Sequence, residues 1–144
     1  MVRTLLPGDA VRVKYLCETA LGHQTDAALI RRRISELAGD ACYYLVAYED
    51  AAGVVQGFLQ AQRYDLLYGA KGWNVIALAS APEARGRGVG RALMEALENH
   101  ALQTGGSFVR LNSNVMRPEA HAFYEHLGYQ CDKTQKRVIK YLAE

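Results

Sequence analysis

Gly86, Gly88 and Gly90 stand on alternate positions and interleave with Arg85, Arg87 and Arg91, between an apolar run and a helical pattern. The run, Val75-Ile76-Ala77-Leu78-Ala79, reads as a buried strand. Pro82 stops it, because proline has no N–H to give to a ladder. On the far side, Val89, Ala92, Leu93, Ala96, Leu97 and His100 recur on one stripe of a 3.6-residue period. Glycine allows close backbone approach and positive φ. A helix start offers N–H groups without partners and about half a positive charge. Together they form a cradle for phosphate oxygens, to which the three arginines add charge. A flexible Gly/Arg turn on a solvated face is the plainer reading, and it requires strand, loop and helix to coincide by chance.

The spacing excludes two familiar phosphate loops. A dinucleotide fingerprint needs G-x-G-x-x-G, and counting from Gly86 its third glycine falls on Arg91. A P-loop needs Gly-Lys-Ser or Gly-Lys-Thr, and the chain contains neither. The pattern Arg85-x-x-Gly88-x-Gly90, after a strand ending in x-x-Pro, resembles the acetyl-CoA pyrophosphate loop of the GNAT superfamily of N-acetyltransferases. A second stretch, from Asn112 to Tyr129, resembles that family's later motif, in which a strand gives way to a short helix. Its matching positions are Ala120, Tyr124, Leu127, Gly128 and Tyr129. Pro118 suits the first turn of that helix, and Gly128 its left-handed stop.

Composition sets the remaining bounds. The chain has 144 residues, enough for one domain that buries roughly two thirds of its unfolded surface. A net charge of +2 gives no field that argues for nucleic acid or an anionic membrane. Cys17, Cys42 and Cys131 are odd in number and far apart, so neither a disulfide framework nor a zinc site is expected. No signal peptide opens the chain, and no apolar run approaches the ~18 residues of a membrane span. A soluble protein of the cytoplasm is the expectation.

Taken in order, residues 2–6 read as a strand stopped by Pro7-Gly8, and Asp9 caps a helix to about residue 19. Thr25 or Asp26 caps a second helix, which Gly39 ends. Residues 41–48 and 54–64 form a hairpin, 73–79 the central strand, 88–103 a helix and 108–112 a further strand. After the helix bearing Tyr124, two more strands are expected near 129–133 and 136–142. The resemblance therefore implies a single-domain α/β (α+β) GNAT fold. It has four helices and a mixed sheet of six to seven strands, splayed at the cofactor cleft. One lip is Leu78-Ala79-Ser80, the other Leu111-Asn112-Ser113. A ligand at the carboxyl ends of parallel strands agrees with the general rule for open α/β sheets.

What the resemblance implies chemically is acetyl transfer from acetyl-CoA to a primary amine, with coenzyme A as product. The amine must lose a proton that a reference pKa near ~10.4 holds firmly. The carbonyl must be held as its oxygen gains charge, and the departing thiolate benefits from a proton. The family match carries that last role to Tyr124; the plain reading of it is a core tyrosine, one of nine in the chain. Cofactor contacts carry over to Leu78, Ala79, Ser80, Arg85, Gly86, Arg87, Gly88, Val89, Gly90 and Arg91.

Two departures stand out. Many relatives place a glutamate on the central strand as base, and residues 73–79 contain no carboxylate. Water chains, His23, Asp26 or another early residue are the candidates left, with Glu83 read as a solvated turn residue and Asn74 as a holder of water. Many relatives also have asparagine three residues before the matching alanine, where this chain has Arg117. Asn112, ahead of Asn114, is the substitute contact. The stretch from Ser113 to Tyr124 further resembles the aminoalkylphosphonate and small-amine acetyltransferases, so a small-molecule amine is the expected partner. Arg31-Arg32-Arg33 reads as a solvated face before it reads as anion recognition. The resemblance also implies a homodimer through the C-terminal strands. A protein or peptide amine acetyltransferase, and a non-catalytic acetyl-CoA sensor, are the competing readings.

Overall fold

A computed structural model describes residues 1–143, which fall into two compact units, Met1–Leu111 and residues 112–143. The first is built on one sheet. Its strands are β1 (Val2–Thr4), β2 (Tyr43–Glu49), β3 (Val55–Arg63), β4 (Gly72–Ser80) and β5 (Phe108–Leu111), in spatial order β1-β2-β3-β4-β5. All neighbours are antiparallel except β4 and β5, which run parallel and are joined through a helix. Three helices belong to this unit: α1 (Ala10–Leu16), α2 (Ala27–Leu37) and α3 (Val89–Gln103). A π-helical turn, Cys17–Leu21, extends α1 and stops at Gly22 with φ +73°.

Local chemistry accounts for the boundaries. Asp26 caps α2, its carboxylate accepting the Ala28 amide at 3.0 Å. Asp50 turns the β2–β3 hairpin by accepting the amides of Ala52 and Val54, both at 2.9 Å. On α3 the apolar stripe buries Val89, Leu93, Met94, Leu97 and Ala101 against the sheet. Burial of each of the larger of these side chains contributes roughly 1.5–3 kcal/mol.

Gly57 sets how deeply α3 sits. A Cβ there would lie 2.5 Å from Val89 Cγ1 and 2.9 Å from the Ala79 carbonyl oxygen. Only glycine lets the first turn of α3 rest on β3 and β4. At the helix's other end Trp73 packs edge-on to His100, with ring centroids 5.0 Å apart, and donates its indole N–H to Thr104 Oγ1.

Two irregularities of β4 shape the sheet. Gln60 pairs with Ala77 but Ala61 pairs with Val75, so Ile76 is an extra residue and is 46% exposed. The parallel pairing with β5 ends at Val75 and Leu111, whereas β4 runs on to Ser80. Residues 76–80 thus carry a stretch of sheet edge that β5 does not cover.

In the second unit α4 (Pro118–His126) begins with Pro118 in its first turn. It ends at Gly128, φ +96°, where Tyr129 N–H donates to the Tyr124 carbonyl at 3.0 Å. The sheet has five strands among the described residues, not six to seven. The expected strands at 129–133 and 136–142 do not form; Val138, Tyr141 and Leu142 are largely exposed. Strand propensity is realised only by pairing, and no described strand pairs with these residues.

Candidate active site

The turn that follows β4 is built to leave amides open. Ala84 and Arg87 close a type II turn, with Arg85 at φ −58°, ψ 140°, Gly86 at φ +80°, and Arg87 N–H donating to the Ala84 carbonyl at 3.3 Å. The third position of that turn requires positive φ, which explains Gly86. Gly88 then caps α3 at φ +78°, and no side chain caps the helix. Among the described hydrogen bonds Ala92 N–H reaches the Gly88 carbonyl, and none uses the amides of Gly88, Val89, Gly90 or Arg91.

Val89 points its side chain into the core against Gly57, which fixes the first turn while leaving the backbone outward. Arg85, Gly86, Arg87 and Gly88 are all exposed, and a Cβ at either glycine would meet nothing within 4 Å. There is room for a ligand as well as donors for it. Arg91 pairs with Glu95 at 3.6 Å one turn along the helix.

These features fit a diphosphate. Open amides at a helix start, guanidinium groups beside them and an absence of neighbouring acidic side chains on the turn favour an anion. Glu83, the carboxylate before the turn, is already engaged. Tyr15 Oη donates to Glu83 Oε2 at 2.9 Å, and Arg12 lies 3.6 Å from Oε1. Its own amide and then the Tyr15 hydroxyl hold the Glu83 carboxyl below the usual glutamate range. Glu83 is an exposed turn residue that also links α1 to the turn, and a poor proton acceptor. Leu78, Ala79 and Ser80 lie on the uncovered part of β4, one step before the turn. Those three and residues 85–91 are brought together by one strand–turn–helix unit.

Other readings of single residues resolve as follows. Asp26 is committed to capping α2. Asn74 bonds two side chains: Arg110 Nη1 donates to its Oδ1 at 2.6 Å, and its Nδ2 donates to Gln62 Oε1 at 3.4 Å. Arg31, Arg32 and Arg33 are exposed, with Arg32 and Arg33 paired to Glu36.

Asn112 and Tyr124 belong to the second unit. Asn112 is exposed just beyond β5. Asn114 organises the entry to α4: its side chain accepts the Met116 amide at 2.9 Å, and its carbonyl accepts from Arg117 N–H and His121 Nε2. His121 thus makes a structural hydrogen bond. Tyr124 is half-buried, edge-on to Phe123 and Tyr129. Burial pushes its phenol above the usual tyrosine value, with Arg117 opposing, so the hydroxyl stays a proton donor at neutral pH.

Gly57 and Tyr15 were not singled out in the sequence as parts of this site. A glycine inside a strand pattern signals close backbone approach, and that signal was present at Gly57. Tyr15 and Glu83 are 68 positions apart, and no local pattern joins them.

Residues 40–131 match the family model described as Acetyltransferase (GNAT) domain. Among solved structures, the chain is similar to a transcriptional regulator from Bacillus halodurans C-125, with TM-score 0.85, 19% identity, and 97% and 99% of the two chains covered. An aminoglycoside antibiotic 6'-N-acetyltransferase from Acinetobacter haemolyticus gives TM-score 0.80 at 14% identity, covering 99% of each chain. A ribosomal-protein-alanine N-acetyltransferase from Brucella melitensis biovar Abortus 2308 gives 0.75 at 18% identity, covering 98% and 99%. At such identities these likenesses concern the fold.

Proposed function

Because this chain belongs to the acetyltransferase (GNAT) domain family, we propose that it moves an acetyl group from acetyl-CoA to the primary amine of a small molecule, directly and within one ternary complex. The observation that carries this reading is the junction of β4 and α3, with two positive-φ glycines and a first helical turn of amides without internal partners. The amides of residues 86–91 and the guanidinium groups of Arg85, Arg87 and Arg91 would hold the diphosphate. The uncovered edge at residues 76–80 would hold the arm by main-chain hydrogen bonds. When bound, acetyl-CoA supplies an acetyl group activated as a thioester.

The proton chemistry falls to the protein and to solvent. Tyr124 Oη–H would deliver a proton to the leaving sulfur; burial raises its pKa, so the phenol is present in its protonated form at neutral pH. No carboxylate stands on β4, and Asp26 and Glu83 are engaged elsewhere, which leaves water or His23 to take the amine's proton. No helix among the described residues is long and apolar enough to cross a membrane, and the three cysteines are unpaired. We place the reaction in the cytoplasm, with aminoalkylphosphonates and related small amines as the acceptor branch.

The test is thiol release from acetyl-CoA across aminoalkylphosphonates, amino acids, polyamines, aminoglycosides and peptides. Turnover with a small amine, lost in Tyr124→Phe with coenzyme A binding retained, supports the reading. Binding of acetyl-CoA without turnover for any acceptor replaces it with a sensor, and turnover confined to peptides replaces it with a protein acetyltransferase.

A further inference from the structure

Side chains three or four positions apart meet on a helix, with about 5–6 Å between their Cβ atoms. For Tyr124 on α4 those positions are Ala120, His121, Leu127 and Gly128, so His121 is the one titratable group at that spacing. Tyr124 and His121 are both partly buried, whereas the helix's carboxylates, Glu119 and Glu125, are exposed and lie off this stripe. The chain's other three histidines stand elsewhere. His100 is stacked on Tyr44 of β2, ring centroids 4.2 Å apart. His126 follows Tyr124 by two positions and falls on the other side of α4. His23 is exposed between α1 and α2, and no described hydrogen bond holds its ring.

The contact to Asn114 decides which nitrogen of His121 carries a proton. His121 Nε2 lies 2.8 Å from the Asn114 carbonyl oxygen. A carbonyl oxygen can only accept, so Nε2 is the donor. In the neutral ring Nδ1 then keeps its lone pair. Among the described hydrogen bonds none uses Nδ1. One nitrogen is therefore structural, and by holding the ring it leaves the other as a base of fixed tautomer.

We infer that His121 Nδ1 is the base of the reaction, taking the amine's proton through a water while Tyr124, one turn along, serves the sulfur. Imidazole is the side chain suited to trading a proton near neutral pH, and β4 offers no carboxylate for the task. Nitrogen and sulfur sit on one carbon as the first bond forms and the second breaks, so base and acid must act close together, as neighbours on one helix can. The inference rests on the acetyl-transfer reading and on Tyr124 as its proton donor. The protons balance. Nδ1 accepts one from the ammonium and releases it to solvent, which frees the nitrogen lone pair for attack on the thioester carbon. As the C–N bond forms and the C–S bond breaks, Tyr124 Oη gives its proton to sulfur. The phenolate is restored by the second proton that the nitrogen sheds.

The experiment measures thiol release from acetyl-CoA with 2-aminoethylphosphonate, β-alanine, spermidine and glycylalanine, for the wild type, His121→Ala and His121→Gln. Glutamine can still donate an N–H to the Asn114 carbonyl but has no basic nitrogen. Both variants are expected to lose about 10²-fold in kcat, with the Kd for coenzyme A unchanged. Added imidazole should raise the His121→Ala rate about tenfold or more and leave His121→Gln where it is. Should His121→Ala not fold, the His121→Gln comparison stands alone. Nitrogen-15 NMR of the imidazole rings reads the tautomer without any substrate, and the neutral His121 ring should carry its proton on Nε2. A His121→Gln kcat within about threefold of the wild type gives His121 a structural role only and overturns the inference. So does a His121→Ala deficit that imidazole leaves untouched, or a neutral ring protonated on Nδ1. If no amine is acetylated, the acetyl-transfer reading itself fails, and His121 has no reaction to serve.

Discussion

The junction from β4 to α3 and the junction from β5 to α4 each carry a proline and then a helix, yet they treat their amides in opposite ways. At the first, Gly86 and Gly88 turn the chain through positive φ, and the opening amides of α3 are left without partners or a capping side chain. At the second, Asn114 takes the Met116 amide on its side chain and the Arg117 amide on its carbonyl, and Pro118 removes a further donor from the first turn. Open donors at a helix start cost stability unless something binds them. Satisfied donors rigidify. In the proposed function, the first junction is the one that would hold an anion and the second the one that would aim a side chain, Tyr124.

Substitutions that blur this difference rank by expected effect. Tyr124→Phe removes the proposed proton donor on the second junction's helix and should lower kcat by about 10²–10⁴-fold with coenzyme A affinity unchanged. Steady-state kinetics beside calorimetric titration with coenzyme A read both. A fall in affinity matching the fall in kcat would give Tyr124 a binding role instead. Because burial raises the Tyr124 pKa, the active phenol form is lost only as pH rises past the ordinary tyrosine value of ~10. The rate should therefore climb between pH 6 and pH 9 as the amine deprotonates, with no falling limb in that range.

Gly88→Val forces a β-branched residue into left-handed backbone and narrows the approach to the first junction. Coenzyme A affinity should fall by about 10²-fold, since two charge-assisted hydrogen bonds are worth that much or more. Titration checks it, and an unchanged Kd would show that the open amides bind nothing. Asn114→Ala should do the reverse. It should cost about 1 kcal/mol of stability in thermal unfolding, lower kcat severalfold, and leave coenzyme A affinity alone. Glu83→Gln is the smallest: exposed pairs contribute little, so kcat and coenzyme A affinity should stay within about threefold. A larger loss would make the α1 tether part of the first junction's geometry.

How much of this could be read from residues alone depended on distance along the chain. Gly86, Gly88 and the α3 stripe are local features, and they gave the turn, the helix and its phasing directly. Asp26 and Gly128 likewise declared a cap and a stop. The C-terminal strands failed because a strand is defined by its partner, and the pattern at 129–142 says nothing about who that partner is. Gln62, Asn74 and Arg110 meet through register across separations of 12 and 36 positions, and the bulge at Ile76 shifts the pairing of β3 and β4 partway along. Asn74 was visible as a polar residue on the central strand, but its commitment to Arg110 was not. Gly57 carried a readable sign whose meaning, the seat of Val89, only the packed sheet supplies.

The central claim is that main-chain amides of the β4–α3 junction hold the diphosphate. Backbone amide resonances followed by NMR during titration with coenzyme A test it residue by residue. The account predicts that Gly86, Gly88, Val89, Gly90 and Arg91 shift most in the first unit, while the amides of Met116 and Arg117, already bonded to Asn114, move least. Saturating coenzyme A that leaves those five unmoved, with the largest shifts elsewhere in the sheet, would contradict it.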